Sequence, residues 1–185
     1  MTMIGLFAKL WRALRSPTFW PGITVPAVLI GLFELWSVVG LRVNVSPSLP
    51  IGLYIATIDA RANLVEFCPA EPFASLSISR GYRDRGSCND GAAPLLKPIV
   101  AVAGDTVEFS AGGIAVNGRR LPNSAPLTKD TKGRPLLPWP FGRYIVAPGT
   151  VWVASSYHPR SFDSRYFGPI TTAAIRDRVK PFFTL

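Results

Sequence analysis

The sequence is poor in the residues that build metal sites and histidine-dependent active sites. It contains two cysteines, Cys68 and Cys88, and one histidine, His158. A structural zinc site takes four Cys or His ligands, so this class of site is excluded, and we expect no metal or other cofactor. His158 stands in the turn-like segment Y-H-P-R, and we do not favour a Ser-His-Asp triad although Asp163 follows nearby.

Acidic residues are also few, with 11 Asp and Glu against 20 Lys and Arg, for a formal net charge of +9. Such an excess raises the question of a nucleic-acid or anionic-lipid partner. The basic residues are scattered in small groups, and no single block dominates. This pattern favours a solvated basic surface, and we expect no direct nucleic-acid binding.

Long apolar runs are absent except for residues 19–41, which contain one charge, Glu34. A helix over this run would span about 35 Å, enough to cross a hydrocarbon core of about 30 Å. Residues 1–18 before it form a short, basic, amphipathic pattern suited to a membrane face. A cleavable signal peptide is the alternative, but the run is long for one and no A-x-A site follows. We therefore predict an uncleaved anchor.

Basic residues before the anchor predict that the N-terminus stays in the cytoplasm. Residues 42–185 would then form a domain outside it, in an environment where disulfides persist. We expect a disulfide between Cys68 and Cys88, and the alternative is a pair of free, buried thiols.

The rest of the sequence is typical of a mostly β domain without a long helix. The whole chain has 18 prolines and 16 glycines, which favour turns and short strands. Residues 69–93 are predicted to form an excursion on the surface of the domain. The proline-rich residues 121–140 are predicted to form a long loop. Pro148-Gly149 predicts a hairpin between the flanking segments. The predicted strands cover residues 52–57, 99–103, 106–109, 114–116, 143–147, 151–155 and 179–185.

Two stretches suggest a catalytic pair. Ser46 and Ser48 lie in N-V-S-P-S-L-P-I-G-L-Y, and Lys97 lies in P-L-L-K-P-I-V-A-V-A-G-D. A lysine in an apolar run is a candidate for burial, which lowers its pKa. A neutral lysine can serve as the base that a hydroxyl nucleophile needs. We predict that Ser48 and Lys97 meet; the alternatives are turn serines and a lysine at a strand edge.

Three motifs together resemble a known family. S-P-S-L-P-I-G-L-Y resembles the serine box of the type I signal peptidase superfamily, and its ending is closer to the TraF-type conjugative-transfer peptidases than to the housekeeping enzymes. K-P-I-V-A-V-A-G-D resembles the lysine box, and S-F-D-S-R-Y-F-G-P resembles the third box. The resemblance implies a signal-peptidase-like, all-β catalytic domain with one N-terminal transmembrane helix.

The resemblance also implies roles for the residues in these boxes. Ser48 matches the nucleophile and Lys97 the general base. Ser46 matches the hydroxyl that forms the oxyanion hole together with the backbone N–H of Ser48.

Within the third box, Ser161 matches a serine that hydrogen-bonds the lysine. Asp163 and Arg165 match a charged pair that shapes the site, and a purely structural ion pair is the other interpretation.

The substrate implied by the resemblance is a membrane-anchored, pilin-like precursor, cut and in some relatives cyclised. The enzyme would sit in the bacterial inner membrane as a single-pass protein with a periplasmic catalytic domain. Ser48 lies six residues after Arg42, within about 20 Å of the proposed membrane surface. Two alternatives stay open: a general type I signal peptidase, and a non-catalytic basic scaffold of a transfer apparatus.

Overall fold

The computed structural model describes residues 40–185, together with Val25. The predictions of a basic segment over residues 1–18 and an anchor over 19–41 therefore lie outside the described residues, apart from Val25, Gly40 and Leu41. In the described part, no helix has both the length and the apolar character that crossing a membrane requires. The described residues are mostly β, as the turn-rich sequence predicts.

Short strands joined by turns account for most of residues 40–185. The two α-helices of this range are α1 (Phe73–Ser79) and α2 (Ser164–Phe167), and a single 3-10 turn covers Thr172–Ala174. The strands are β1 (Leu41–Asn44), β2 (Gly52–Thr57), β3 (Leu64–Phe67), β4 (Leu95–Ala101), β5 (Thr106–Ser110), β6 (Gly113–Val116), β7 (Arg119–Arg120), β8 (Gly142–Ile145), β9 (Thr150–Val153), β10 (Ile170–Thr171) and β11 (Ile175–Thr184).

The strands form a seven-stranded sheet in the order β1-β2-β11-β3-β4-β9-β10 and a four-stranded sheet in the order β7-β6-β5-β8. The C-terminal strand β11 lies between β2 and β3 and is antiparallel to both. Its close approach to β2 depends on Gly52, where a Cβ atom would lie 2.2 Å from the carbonyl oxygen of Phe183. The predicted closing strand over residues 179–185 is thus central to the larger sheet.

Strand β9 is buried on both faces, which explains its uninterrupted apolar sequence. Val151 and Val153 pack into one apolar cluster with Val65 of β3. Trp152 and Ala154, which alternate with them, pack into a second cluster. Because side chains alternate along a strand, this one segment serves two cores.

The predicted hairpin across Pro148-Gly149 is wrong. Strand β8 pairs with β5 in the smaller sheet, whereas β9 pairs with β4 and β10 in the larger one. The turn residues do reverse the chain, but burial decides the pairing. Arg143 and Ile145 of β8 are exposed, as suits a strand at a sheet edge, and the two-faced apolar β9 takes an interior position.

The excursion over residues 69–93 is more ordered than its polar sequence predicts. It contains α1, and the expected disulfide between Cys68 and Cys88 is present, with Cα atoms 5.9 Å apart. Arg83 is buried and its guanidinium contacts the Asp90 carboxylate at 2.7 Å. These contacts fold the excursion onto the domain.

The proline-rich stretch over residues 121–140 contains no named strand or helix, as predicted, although Lys129 and Pro135 form an isolated bridge. Its turn is organised by Asp130, whose carboxylate accepts hydrogen bonds from Tyr82 and Arg134. The loop is therefore tied to the preceding excursion by side-chain contacts.

Candidate active site

The loop that carries the two serines is held by a buried asparagine. The amide of Asn44, the last residue of β1, donates to the carbonyl oxygens of Ser46 at 2.9 Å and Pro50 at 3.0 Å, and reaches that of Leu49 at 3.2 Å. Its own side-chain oxygen accepts from the Ser46 N–H. Asn44 was not among the residues predicted from the sequence, although asparagine is a common turn former in this context.

Ser48 and Lys97 come together although they are 49 positions apart. The Lys97 Nζ atom lies 2.7 Å from Ser48 Oγ, in a buried contact. Both residues are nearly inaccessible, at 5% exposure each. A hydroxyl and an amine at this distance are placed for direct proton transfer.

Strand geometry explains why Lys97 is buried. Lys97 lies in the middle of β4, directly across from Val65 of β3. Because side chains alternate, it shares a face with Leu95, which belongs to the first apolar cluster. Burial lowers the pKa of Lys97 from 10.5 to about 8; the charge of Asp163 opposes this shift and that of Arg165 adds to it. Lys97 is therefore still mostly protonated at pH 7, and its neutral fraction rises steeply as the pH approaches 8.

Ser46 lies on the solvent-exposed side of Ser48. Its Oγ is 3.0 Å from Ser48 Oγ and accepts a long hydrogen bond of 3.4 Å from the Ser48 N–H. Ser46 is exposed, in contrast to Ser48. The arrangement puts one hydroxyl and one backbone N–H on the same side of the buried Ser48 side chain.

Asp163 and Arg165 form an ion pair in which both side chains are fully buried. The guanidinium is bidentate, with Nε and Nη2 each 2.8 Å from a carboxylate oxygen. Asp163 also caps α2, accepting from the Arg165 N–H at 3.2 Å. Paired in this way, two charges are retained inside the domain, where either one alone would be strongly unfavourable.

Arg165 also binds the surrounding backbone. Its remaining donors reach the carbonyl oxygens of Pro159, Ser161 and Asn123 at 2.9–3.0 Å. The third box and the start of the long loop are thereby joined through one side chain.

Ser161 is buried, but its hydroxyl makes no hydrogen bond within the described residues. The hydrogen bond to Lys97 that the resemblance implies is therefore not formed in this structure. The unsatisfied hydroxyl leaves Ser161 with an open donor and acceptor inside the domain.

The remaining residues considered from the sequence lie outside this cluster. His158 Nδ1 accepts from the Arg160 N–H in a local turn. Among residues 40–185, no group of three His, Cys, Asp or Glu side chains is placed to hold a metal ion. A second residue that the sequence did not indicate, Ser155, does join the cluster: its hydroxyl donates to the carbonyl oxygen of Ser48.

Comparisons with known proteins identify similar sequences among signal peptidases and TraF transfer proteins. The family model described as "Signal peptidase, peptidase S26" matches residues 18–183. A plasmid transfer protein TraF from Escherichia coli is 36% identical over 149 residues, covering 78% of this chain and 83% of that protein. A probable conjugal transfer protein TraF from Sinorhizobium fredii is 43% identical over 143 residues, covering 74% of this chain and 73% of that protein.

Among solved structures, a signal peptidase I from Enterococcus faecalis is similar with a TM-score of 0.36 and 19% identity. The similarity covers 68% of this chain and 99% of that one.

Proposed function

Because the chain belongs to the signal peptidase family, peptidase S26, we propose that it is a membrane-anchored endopeptidase with a Ser48–Lys97 dyad that processes a pilin-like precursor. Family membership implies serine peptidase activity. The observation that carries the assignment of the dyad is the buried 2.7 Å contact between Lys97 Nζ and Ser48 Oγ.

In the proposed reaction, neutral Lys97 takes the hydroxyl proton of Ser48 while Oγ attacks the scissile carbonyl carbon. The C–N bond then breaks, and the Lys97 ammonium returns the proton to the leaving amine. This leaves an ester between Ser48 and the acyl part of the substrate. Water or an amine then attacks the ester and loses a proton to Lys97. The bond between the acyl carbon and Ser48 Oγ breaks, and the Lys97 ammonium returns the proton to Oγ, which regenerates the free hydroxyl.

Ser46 and the N–H of Ser48 would stabilise the oxyanion. The N–H contact with Ser46 Oγ is long, at 3.4 Å, so an oxyanion placed between the two donors can replace it. Loss of a single oxyanion donor typically costs about 3–4 kcal/mol of transition-state stabilisation.

Asp163 and Arg165 would shape the site and leave the proton transfer to the dyad. Their bidentate pairing occupies both carboxylate oxygens, and the charge of Asp163 favours protonated Lys97 after the attack. The free hydroxyl of Ser161 would accept from that ammonium in the course of the reaction.

The proposed location and substrate rest on the sequence predictions, and the named relatives support them. Residues 1–18 would be cytoplasmic, residues 19–41 would anchor the chain in the lipid of the bacterial inner membrane, and residues 42–185 would be the periplasmic peptidase domain. The disulfide fits an oxidising compartment. Relatives named for plasmid and conjugal transfer support a role in conjugation, and the pilin-like substrate is what the motif resemblance implies.

The test is mass spectrometry of pilin in cells that carry wild-type protein, Ser48→Ala or Lys97→Ala. Both variants should leave the precursor uncut while accumulating normally. Ser110→Ala and Lys180→Ala replace exposed residues of the same types and should process pilin like wild type. A product lighter than the linear form by one water would identify cyclisation in place of hydrolysis.

Other outcomes would decide for the alternatives. If Ser48→Ala and Lys97→Ala cut pilin at the wild-type rate, the dyad is wrong. Loss of cleavage across many unrelated exported precursors would instead indicate a general signal peptidase. A scaffold predicts that transfer is unaffected by Ser48→Ala.

A further inference from the structure

Ser155 is a buried serine that contacts the backbone of Ser48, although no feature of the sequence marks it. It lies two residues after the end of β9 and is fully inaccessible, at 0% exposure. The antiparallel register that pairs Ile99 with Val153, continued by two residues, places Ser155 across from Lys97. Its position is therefore next to the proposed catalytic pair, just beyond the end of the neighbouring strand β9.

Three hydrogen bonds connect Ser155 to its surroundings. Its Oγ donates to the carbonyl oxygen of Ser48 and accepts from the Tyr157 N–H at 3.1 Å. Its backbone N–H donates to the Asp163 carboxylate at 3.1 Å. The one donor of the hydroxyl therefore goes to the backbone of Ser48.

We propose that Ser155 is a positioning residue that orients Ser48 for attack, an inference that rests on the proposed peptidase function. It acts on the peptide group that follows Ser48 and does not touch the reacting atoms. Through its N–H it also connects that peptide group to the ion pair of Asp163 and Arg165.

The physical reason lies in how a nucleophile on a loop is held. Asn44 holds the carbonyl oxygens on both sides of the Ser48–Leu49 segment, at Ser46 and Pro50. The carbonyl group of Ser48 itself receives its donor from Ser155. With this peptide plane held, the direction of the Cα–Cβ bond of Ser48 is defined, and Oγ stays within reach of Lys97 Nζ.

Ser155 also explains how a rigid part of the domain reaches the serine loop. The Asp163 oxygen that accepts from the Ser155 N–H accepts from Arg165 Nη2 as well. A continuous set of hydrogen bonds therefore runs from Arg165 through Asp163 and Ser155 to the Ser48 backbone. Misplacement of reacting groups by about 1 Å can cost about 100-fold in rate, so this support matters for kcat.

The experiment compares steady-state cleavage of the pilin precursor by full-length wild-type protein and Ser155→Ala in detergent micelles. We expect kcat to fall between about 10- and 100-fold, with KM within about twofold. The apparent pKa on the acidic side of the kcat/KM profile should stay near that of wild type, because the substitution alters no charge near Lys97.

Ser77→Ala is the matched control. Ser77 is also fully inaccessible, and its hydroxyl also donates to a backbone carbonyl, that of Ala74 at 2.7 Å. It should lower the unfolding temperature about as much as Ser155→Ala while leaving kcat unchanged.

Three results would overturn the proposal for Ser155. These are a kcat within twofold of wild type, a loss of kcat matched by Ser77→Ala, or a shifted apparent pKa, which would mean that Ser155 acts on Lys97. If Ser155→Ala does not fold, Ser155→Thr keeps the hydroxyl donor: kcat within about threefold of wild type supports the proposal, and a tenfold loss overturns it.

Ser48→Ala in the same assay distinguishes a failure of the proposed peptidase function from a failure of the proposed role of Ser155. If Ser48→Ala cleaves like wild type, the peptidase function fails and the role of Ser155 fails with it. If Ser48→Ala is inactive and Ser155→Ala is fully active, only the role of Ser155 fails.

Discussion

Burial of Lys97 supports the proposed chemistry but destabilises the fold, because it favours the neutral amine and penalises the ammonium. Its burial lowers the pKa from 10.5 to about 8. Below pH 8 the folded domain must hold a buried ammonium, whereas the unfolded chain keeps a solvated one. The unfolded state therefore binds more protons between pH 8 and pH 10.5, and this contribution to the free energy of unfolding rises with pH in that window.

We predict that Lys97→Met abolishes cleavage and stabilises the fold. At pH 7 the gain in free energy of unfolding should be at most about 3 kcal/mol, since each pKa unit corresponds to about 1.4 kcal/mol. At pH 9.5 the gain should be smaller by about 2 kcal/mol, because folded Lys97 is then neutral and removing the proton from the unfolded lysine costs less as the pH approaches 10.5. Unfolding of the full chain at both pH values measures this.

The control is Lys180→Met, which replaces an exposed lysine on β11. It should show no comparable dependence on pH. A destabilised Lys97→Met variant at pH 7, or a gain that grows with pH, would contradict the assigned burial cost.

The residues of the site differ in how far the sequence predicts them. Lys97 is recognisable because a charged residue interrupts an apolar run, and Ser48 because it stands in a distinctive Pro-Gly context. Asn44 and Ser155 carry no such signal. Their importance comes from backbone groups that they contact across the fold, and hydrogen bonds to a backbone carbonyl leave no mark in the partner's sequence.

At the scale of elements, the third box and the long loop form one packed unit. The N–H of Trp139 donates to the carbonyl oxygen of Arg165 at 2.7 Å. Its ring lies against Gly168, where a Cβ atom would come within 2.6 Å of the indole. The loop over residues 121–140, whose role the sequence did not reveal, thus covers the segment that holds the ion pair.

We predict that Gly168→Ala destabilises the domain much more than Gly149→Ala. Both glycines have positive φ, +70° and +76°, but nothing lies within 4 Å of a Cβ atom at Gly149. Gly149→Ala should cost about 1–2 kcal/mol for the backbone conformation alone. Gly168→Ala should cost more, because its backbone at φ +70° and ψ −157° is a conformation that alanine avoids and because the overlap with Trp139 adds about 1–3 kcal/mol.

Thermal unfolding of the two variants compares these costs directly. Equal losses of stability would show that the indole moves aside without cost, and the proposed packing of the loop on Gly168 would be wrong.

For the whole molecule, the disulfide closes a long excursion onto the domain. Cys68 and Cys88 are 20 positions apart, and the enclosed α1 places Phe73 against Phe167 of α2 at 5.9 Å between ring centroids. We predict that the Cys68→Ser, Cys88→Ser double variant loses about 3 kcal/mol of stability, as expected for a loop of this length. The Ser48–Lys97 contact does not include the excursion, so cleavage should persist at temperatures where the variant is folded.

Unfolding with and without a thiol reductant tests this prediction. Reductant should lower the unfolding temperature of wild type toward that of the double variant and leave the variant unchanged. A wild-type protein that is insensitive to complete reduction would contradict a stabilising role for the disulfide.

The sequence by itself determined the local features of this protein. Apolar runs and turn residues were enough to predict a mostly β domain and the strand Gly52–Thr57. The two cysteines and the expected location outside the cytoplasm predicted the Cys68–Cys88 disulfide, and the three motifs carried the resemblance to the family. These features depend on near neighbours or on motifs that read directly from the chain.

Only the tertiary structure decided the long-range contacts that no motif marks. It separated β8 from β9, buried the Asp163–Arg165 pair, left the Ser161 hydroxyl without a partner and joined Ser155 to the backbone of Ser48. The physical reason is that strand pairing and hydrogen bonds to the backbone depend on burial and on the direction of groups in space. Many different local sequences are compatible with the same pairing or the same hydrogen bond, so the sequence does not mark these contacts.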